Sequence, residues 1–110
     1  MSQLTTHVLD TTLGRPAVGV PVTLASFTEG AWVELDSGLT DDDGRLRTLG
    51  PDAVPVGRYR FTFDTAAYFS ATGQTGFHPE VVVVFDVVDA GHYHVPVLLS
   101  PYAYSTYRGS

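Results

Sequence analysis

Four histidines, six arginines and a set of hydroxyls are the side chains of this 110-residue chain that can move protons or bind anions near neutral pH. His92 and His94 stand two residues apart in an apolar, β-branched segment, so on a strand their rings leave the same face side by side. Three roles fit that spacing: a hydrogen-bonded structural pair, a general base in a pocket, and two ligands of a three-histidine zinc site. His7 lies in Thr-Thr-His-Val-Leu-Asp, where Thr5, His7 and Leu9 alternate against Thr6, Val8 and Asp10. Taken alone, a single histidine there reads as structural. His78 precedes Pro79 in a loop and reads as a turn or capping residue. Arg45 follows Thr-Asp-Asp-Asp-Gly, a run with three carboxylates but without the alternating ligands and distal Glu of a calcium loop. Asp-Gly between extended segments is instead a hairpin signal. That turn presents Arg45 at the start of the next short strand. There a guanidinium either binds planar, carbonyl-rich or anionic ligands or is an exposed charge beside the aspartates.

Other chemistries are excluded by what is missing. The chain has no cysteine, so it holds no disulfide, thiolate nucleophile or zinc–thiolate site. It has no lysine for Schiff-base chemistry, no G-x-S-x-G elbow and no glycine-rich phosphate loop. An enzyme built from this inventory would use histidine-directed water activation with arginine-type stabilisation of negative charge. Twelve carboxylates against six arginines leave a net charge of −6, which disfavours non-specific binding to nucleic acid or to an anionic membrane. No apolar run approaches the roughly 20 residues of a membrane-spanning helix. The first residues carry neither a cationic nor an apolar leader segment. The expectation is one soluble, cytoplasmic domain covering residues 1–110.

The elements that must position these groups read as strands. Val, Thr, Tyr and Phe number 15, 13, 6 and 6, a composition suited to pleated, half-buried surfaces. Glycine and proline punctuate short segments. Period-two patterns predict strands over 20–26, 32–36, 58–64, 80–88 and 92–99, with a last strand within 102–107. In 92–99, Tyr93, Val95, Val97 and Leu99 face one way and His92, His94, Pro96 and Leu98 the other. In 32–36, Trp32, Glu34 and Asp36 oppose Val33 and Leu35. Residues 65–72, with three alanines and no valine, predict a short helix. Seven or eight strands and one helix point to an all-β, antiparallel β-sandwich.

Four motifs occur in order: Thr6-His7-Val8-Leu9-Asp10; Gly44-Arg45; His92-Tyr93-His94-Val95-Pro96 with Leu99-Ser100-Pro101-Tyr102; and Tyr107-Arg108-Gly109-Ser110. Together they resemble the 5-hydroxyisourate hydrolases, the transthyretin-related enzymes of urate breakdown, from about residue 4 to the last residue. The family's other branch, transthyretin itself, is a carrier. Carrier sequences have Lys, Glu and Thr where this chain has His7, Arg45 and His94, and they lack the Tyr-Arg-Gly-Ser ending. All four differences place this chain on the hydrolase side.

The resemblance implies a transthyretin/prealbumin-like sandwich of about eight strands with one short helix. It implies a homotetramer, a dimer of dimers, with active sites in the channel between dimers. The implied reaction opens the six-membered ring of 5-hydroxyisourate to 2-oxo-4-hydroxy-4-carboxy-5-ureidoimidazoline, with no metal or organic cofactor. In that setting His7 and His94 orient and deprotonate water, and Arg45 binds substrate carbonyls and the developing oxyanion. Tyr107, Arg108 and Ser110 would close the pocket, and His92 would support His94 from behind. Two other readings stay open: a non-catalytic transthyretin-like carrier, and a metal enzyme using His92, His94 and His7.

Overall fold

Alternating side chains sort the chain into two facing layers. The computed structural model describes residues 1–110 and contains nine strands and one helix. They are β1 (Leu4–Asp10), β2 (Arg15–Pro16), β3 (Pro21–Thr28), β4 (Ala31–Leu39), β5 (Arg45–Leu46), β6 (Gly57–Phe63), α1 (Thr65–Ala71), β7 (Val81–Val87), β8 (Tyr93–Leu99) and β9 (Tyr104–Thr106). One sheet runs β2-β1-β8-β9, with β5 also pairing with β1; the other runs β4-β3-β6-β7. The all-β sandwich with one short helix is therefore the fold, and the strands lie within a residue or two of the predicted segments, β4 excepted, which runs longer at its C-terminal end.

The core is formed by the inward set of each strand. Tyr59, Phe61 and Phe63 of β6 meet Tyr93, Val95, Val97 and Leu99 of β8, with Val8, Val22, Leu24, Val81 and Val87 completing the fill. Phe61 and Phe85 stack with centroids 5.6 Å apart. The faces assigned to 58–64 and to 92–99 from periodicity are the faces observed.

Two features depart from the sequence reading. First, β1 and β8 are parallel, paired from Leu4 with Tyr93 to Asp10 with Leu99, whereas the sandwich was expected to be antiparallel. No hairpin can join parallel neighbours, so nothing in the local pattern signals the pair. Second, the alternation expected for 32–36 is broken. Leu24 pairs with Asp36 but Ala25 pairs with Glu34, and this irregularity skips Leu35. Leu35 and Val33 stay exposed. On the same edge Trp32 turns to the outer face, where the Arg60 guanidinium lies 4.4 Å from its ring centre.

Helix α1 is started by Asp64, whose side chain accepts the Ala67 N–H at 3.0 Å. Its Tyr68 and Phe69 enter the core. Tyr68 also donates its hydroxyl to Asp10 Oδ2 at 2.6 Å, tying the helix to β1. Asp10 accepts three further hydrogen bonds, from the N–H groups of Thr12 and Leu13 and from the Gln74 amide. Burial by itself would raise this carboxyl, but those four donors outweigh it and hold it below the ordinary range. The folded carboxyl thus binds fewer protons than the unfolded one. Its stabilisation is present above the ordinary carboxyl range and is lost as pH falls through the depressed folded value. Asp10→Asn is expected to cost about 2 kcal/mol at pH 7 by setting an amide donor against these donors. Urea unfolding at pH 7 and at pH 3 checks this, and the difference from wild type should shrink at the lower pH.

Candidate active site

Strand pairing brings together side chains that are far apart in the chain. In the β1–β8 register Thr5 pairs with His94 and His7 with Pro96, and in the β1–β5 register His7 pairs with Arg45. Paired residues share a face, so Arg45, His7, Thr5 and His94 lie across three strands on the outer face of one sheet. The C-terminal segment adds a fourth row. Gly109 bridges to His94, donating its N–H to the His94 carbonyl at 2.8 Å. A Cβ on Gly109 would come within 2.6 Å of His94 Cδ2, so the tail can lie against this ring only as glycine.

The imidazoles occupy one neighbourhood. The His7 and His94 ring centres are 6.5 Å apart, and those of His92 and His94 are 6.2 Å apart with nearly parallel planes. Next to them is a cavity of about 220 Å³, lined by Thr5, Arg45, Arg47, His92, His94 and Ser110 among others. His94 is half-buried and is neutral over a wider pH range than a free imidazole. Burial lowers its pKa first, and the positive charge of Arg45, then His92 and His7, lowers it further. His7 is lowered likewise, by burial and then by Arg45, with the Asp43 carbonyl acting in the opposite direction. Both histidines are therefore set up as neutral proton acceptors near pH 7, the state a general base needs.

The turn before β5 aims Arg45, as the Asp-Gly signal predicts. Asp41 Oδ1 accepts the N–H groups of Asp43 and Arg45, both at 2.9 Å. The Asp41 carboxyl is held below its usual range, chiefly by the Arg45 N–H. Arg47, not Arg45, takes the aspartates as ion-pair partners, reaching Asp41 at 3.2 Å and Asp43 at 3.8 Å. The Arg45 guanidinium has no such partner in the chain and keeps its donors for a ligand. Gly44 makes the turn possible. Its φ is +74°, and a Cβ there would lie 2.4 Å from the Val8 carbonyl oxygen. Gly44→Ala is expected to lower stability by more than about 2 kcal/mol, combining left-handed strain with a backbone clash, as urea unfolding would record.

The predicted site residues separate into two groups. His7, Arg45, His92, His94 and Ser110 gather on the outer face. Tyr107 and Arg108 do not join them within the chain. They line a different cavity, between β7 and the C-terminal segment, where Arg108 stacks on the Tyr93 ring at 4.3 Å from its centre. Extended backbone sends successive side chains to opposite sides, so Gly109 contacting His94 requires Arg108 to face the core side. Two residues escaped the sequence reading, Thr5 and Arg47. Each stands two positions from a residue already singled out, His7 and Arg45, so the same period of two would have found them. His78 lies elsewhere, its ring edge-on between Phe77 and Tyr104 and its carbonyl accepting from Thr65, in keeping with a loop role.

As for a metal, His92 Nε2 and His94 Nδ1 converge on the Thr5 hydroxyl, each at 2.8 Å, so both nitrogens are already engaged by a protein group. No three His, Asp or Glu side chains come together in a metal-ligating group.

Known proteins similar to this chain fall in one family. A 5-hydroxyisourate hydrolase of Salmonella typhimurium is 46% identical over 109 residues, covering 97% of this chain and 80% of the relative. One from Mus musculus is 44% identical over 113 residues, covering 99% and 96%. Among solved structures, Klebsiella pneumoniae 5-hydroxyisourate hydrolase superposes with a TM-score of 0.85 at 37% identity, covering 97% of this chain and 98% of its own. Sea bream transthyretin in complex with thyroxine gives 0.92 at 37% identity, covering 97% and 94%. Backbone likeness thus does not separate hydrolase from carrier; side chains must. The HIUase/Transthyretin family pattern matches residues 4–109, and the chain belongs to that family.

Proposed function

We propose that this chain is a hydrolase that opens the six-membered ring of 5-hydroxyisourate to 2-oxo-4-hydroxy-4-carboxy-5-ureidoimidazoline, a step of urate breakdown. The observation that carries the reading is the meeting of two neutral imidazoles, His7 and His94, with an unpaired guanidinium, Arg45, on one sheet face. Hydrolysis of a cyclic amide needs a base for water, a cation for the oxyanion and an acid for the leaving nitrogen. In the proposed mechanism His94 takes a proton from water as its oxygen adds to the ring carbonyl. Arg45 donates to the oxygen on which charge develops. His7 holds water or substrate in line. As the C–N bond breaks, the proton taken up at His94 Nε2 passes to the leaving ring nitrogen, and the carboxylic acid so formed releases its own proton to solvent to become a carboxylate.

Ser110 reaches this cavity and is proposed to bind substrate through its hydroxyl or carboxylate. Arg108 is proposed to act through the tail: its stack on Tyr93 holds the segment so that Gly109 and Ser110 reach His94. Tyr107 is kept as a substrate-closing residue supplied across a subunit boundary, within one hydrolase domain spanning the chain. A homotetramer with sites between dimers is part of the proposal, because one chain forms only an open half-pocket on this face. The cytoplasm is the proposed location; no helix is long and apolar enough to cross a membrane.

The carrier reading draws on the likeness to sea bream transthyretin and predicts binding without turnover. The deciding experiment generates 5-hydroxyisourate from urate with a urate oxidase and follows its ultraviolet decay with and without this protein. Acceleration that persists in EDTA is expected. Decay at the spontaneous rate would overturn the hydrolase, and acceleration abolished by EDTA would replace it with a metal enzyme.

A further inference from the structure

One hydroxyl ties the two histidines of β8 together. Thr5 Oγ1 lies 2.8 Å from His92 Nε2 and 2.8 Å from His94 Nδ1. Thr5 is buried, at 3% exposure, while His92 is exposed to solvent. The buried Thr5 hydroxyl has no acceptor other than these two rings, so for its own proton to be satisfied it donates to one ring and accepts from the other. The two histidine tautomers are therefore coupled. If His94 carries its proton on Nδ1, Thr5 accepts it and donates to a bare His92 Nε2. His94 Nε2 is then bare, makes no hydrogen bond to the protein and is left to accept from a water. In the opposite setting His94 Nε2 is protonated and cannot act as a base.

We propose that Thr5 is a positioning and relay residue that keeps His94 in its base-competent tautomer and passes the abstracted proton to His92. The proposal rests on the hydrolase reading above. An O–H bond of water breaks as an N–H bond forms at His94 Nε2. The His94 Nδ1–H bond breaks as that proton goes to Thr5 Oγ1. The original Thr5 hydroxyl proton moves to His92 Nε2. Thr5 and His94 end neutral, and the positive charge stands on His92. That transfer takes the charge off the half-buried ring beside Arg45 and His7 and delivers it to an exposed ring, where hydration is cheaper.

The test compares Thr5→Val, Thr5→Ser, His92→Phe and the double variant Thr5→Val/His92→Phe. Thr5→Val keeps the shape and is expected to lower kcat about 10- to 100-fold with KM changed less than about threefold. Thr5→Ser, which retains the oxygen, is expected to recover most of that loss. His92→Phe should cost a similar factor, and the double variant no more than Thr5→Val alone, because the two act as one unit. Imidazole 15N shifts supply a readout that packing alone does not move: His94 should be Nδ1-protonated in wild type and lose that preference in Thr5→Val. Thr5→Val with near-normal kcat, costs that multiply in the double variant, or an unchanged His94 tautomer would each overturn the relay. If Thr5→Val does not fold, His92→Phe and the wild-type tautomer still decide. Loss of activity in a His94 variant alongside an active Thr5→Val would defeat the relay and leave the hydrolase standing. A wild type that fails to accelerate decay would defeat both.

Discussion

Replacing His94 by asparagine is expected to lower kcat/KM for ring opening by about 10²- to 10⁴-fold, the range of a lost general base. Asparagine can still reach the Thr5 hydroxyl from the position of Nδ1, so the β8 strand and its partner β1 are kept. What disappears is Nε2, the nitrogen that meets water. Thermal unfolding should move little, because His94 is outside the apolar core. The pH profile follows from the direction of the shift. A depressed imidazole pKa means that the neutral base persists below pH 6.5, the ordinary value, and that activity is lost only as pH falls through the lowered value. The acid limb of wild-type kcat/KM is therefore expected below pH 6.5. Initial rates of ultraviolet decay across pH 5 to 8 check both statements. A rate within threefold of wild type would remove His94 from the chemistry.

Arg45→Met is the second large effect, an expected loss of about 10²- to 10³-fold in kcat, as when one oxyanion donor is removed. Two consequences distinguish this from a folding defect. Arg45 follows burial as a cause of the lowered pKa of both His7 and His94, so removing its charge lets both rise toward 6.5. The acid limb should move to higher pH in Arg45→Met. Arg45→Lys restores a charge but not the planar fork of donors, and is expected to recover the acid limb more fully than kcat. An Arg45→Met enzyme with an unmoved acid limb would mean that the guanidinium points away from the imidazoles during turnover.

Much of this was readable from alternation. The faces of β6 and β8 follow from which residues are apolar at every second position, and the Asp-Gly turn located Arg45; in β1 alternation groups Thr5 with His7, but polar Thr6 and Asp10 on the inward side hide which face is buried. Position along a strand was legible because side-chain direction is local. Pairing was not. His94 and Thr5 meet only because β1 inserts beside β8, a contact across 89 positions that no short pattern encodes. Likewise the family resemblance groups Arg108 with Ser110. In the extended tail Arg108 lies on the opposite side from Gly109, stacked on Tyr93, while Gly109 meets His94 and the terminal Ser110 reaches the cavity. At β4 the reading failed for a different reason: the irregularity opposite Leu24 and Ala25 resets the period, and a bulge has no fixed sequence signature. Thr5 was passed over because a threonine on a strand is ordinary; its significance comes from the two imidazoles that flank it.

The parallel pairing of β1 with β8 also determines when the protein becomes active during its synthesis. Three β1 groups, Thr5, His7 and the backbone that receives Arg45, are made early. Their partner His94 follows Thr5 by 89 residues, after every strand of the other sheet. The β4-β3-β6-β7 sheet uses only strands made before β8 and can assemble while synthesis continues, but the first strand must wait for the eighth. Long-range pairing of this kind slows folding, because the loop-closure entropy is lost before the contact forms. Catalysis is thus the last property acquired by the folding chain, and recovery of turnover after dilution from urea would time the docking of β1 separately from the collapse of the core.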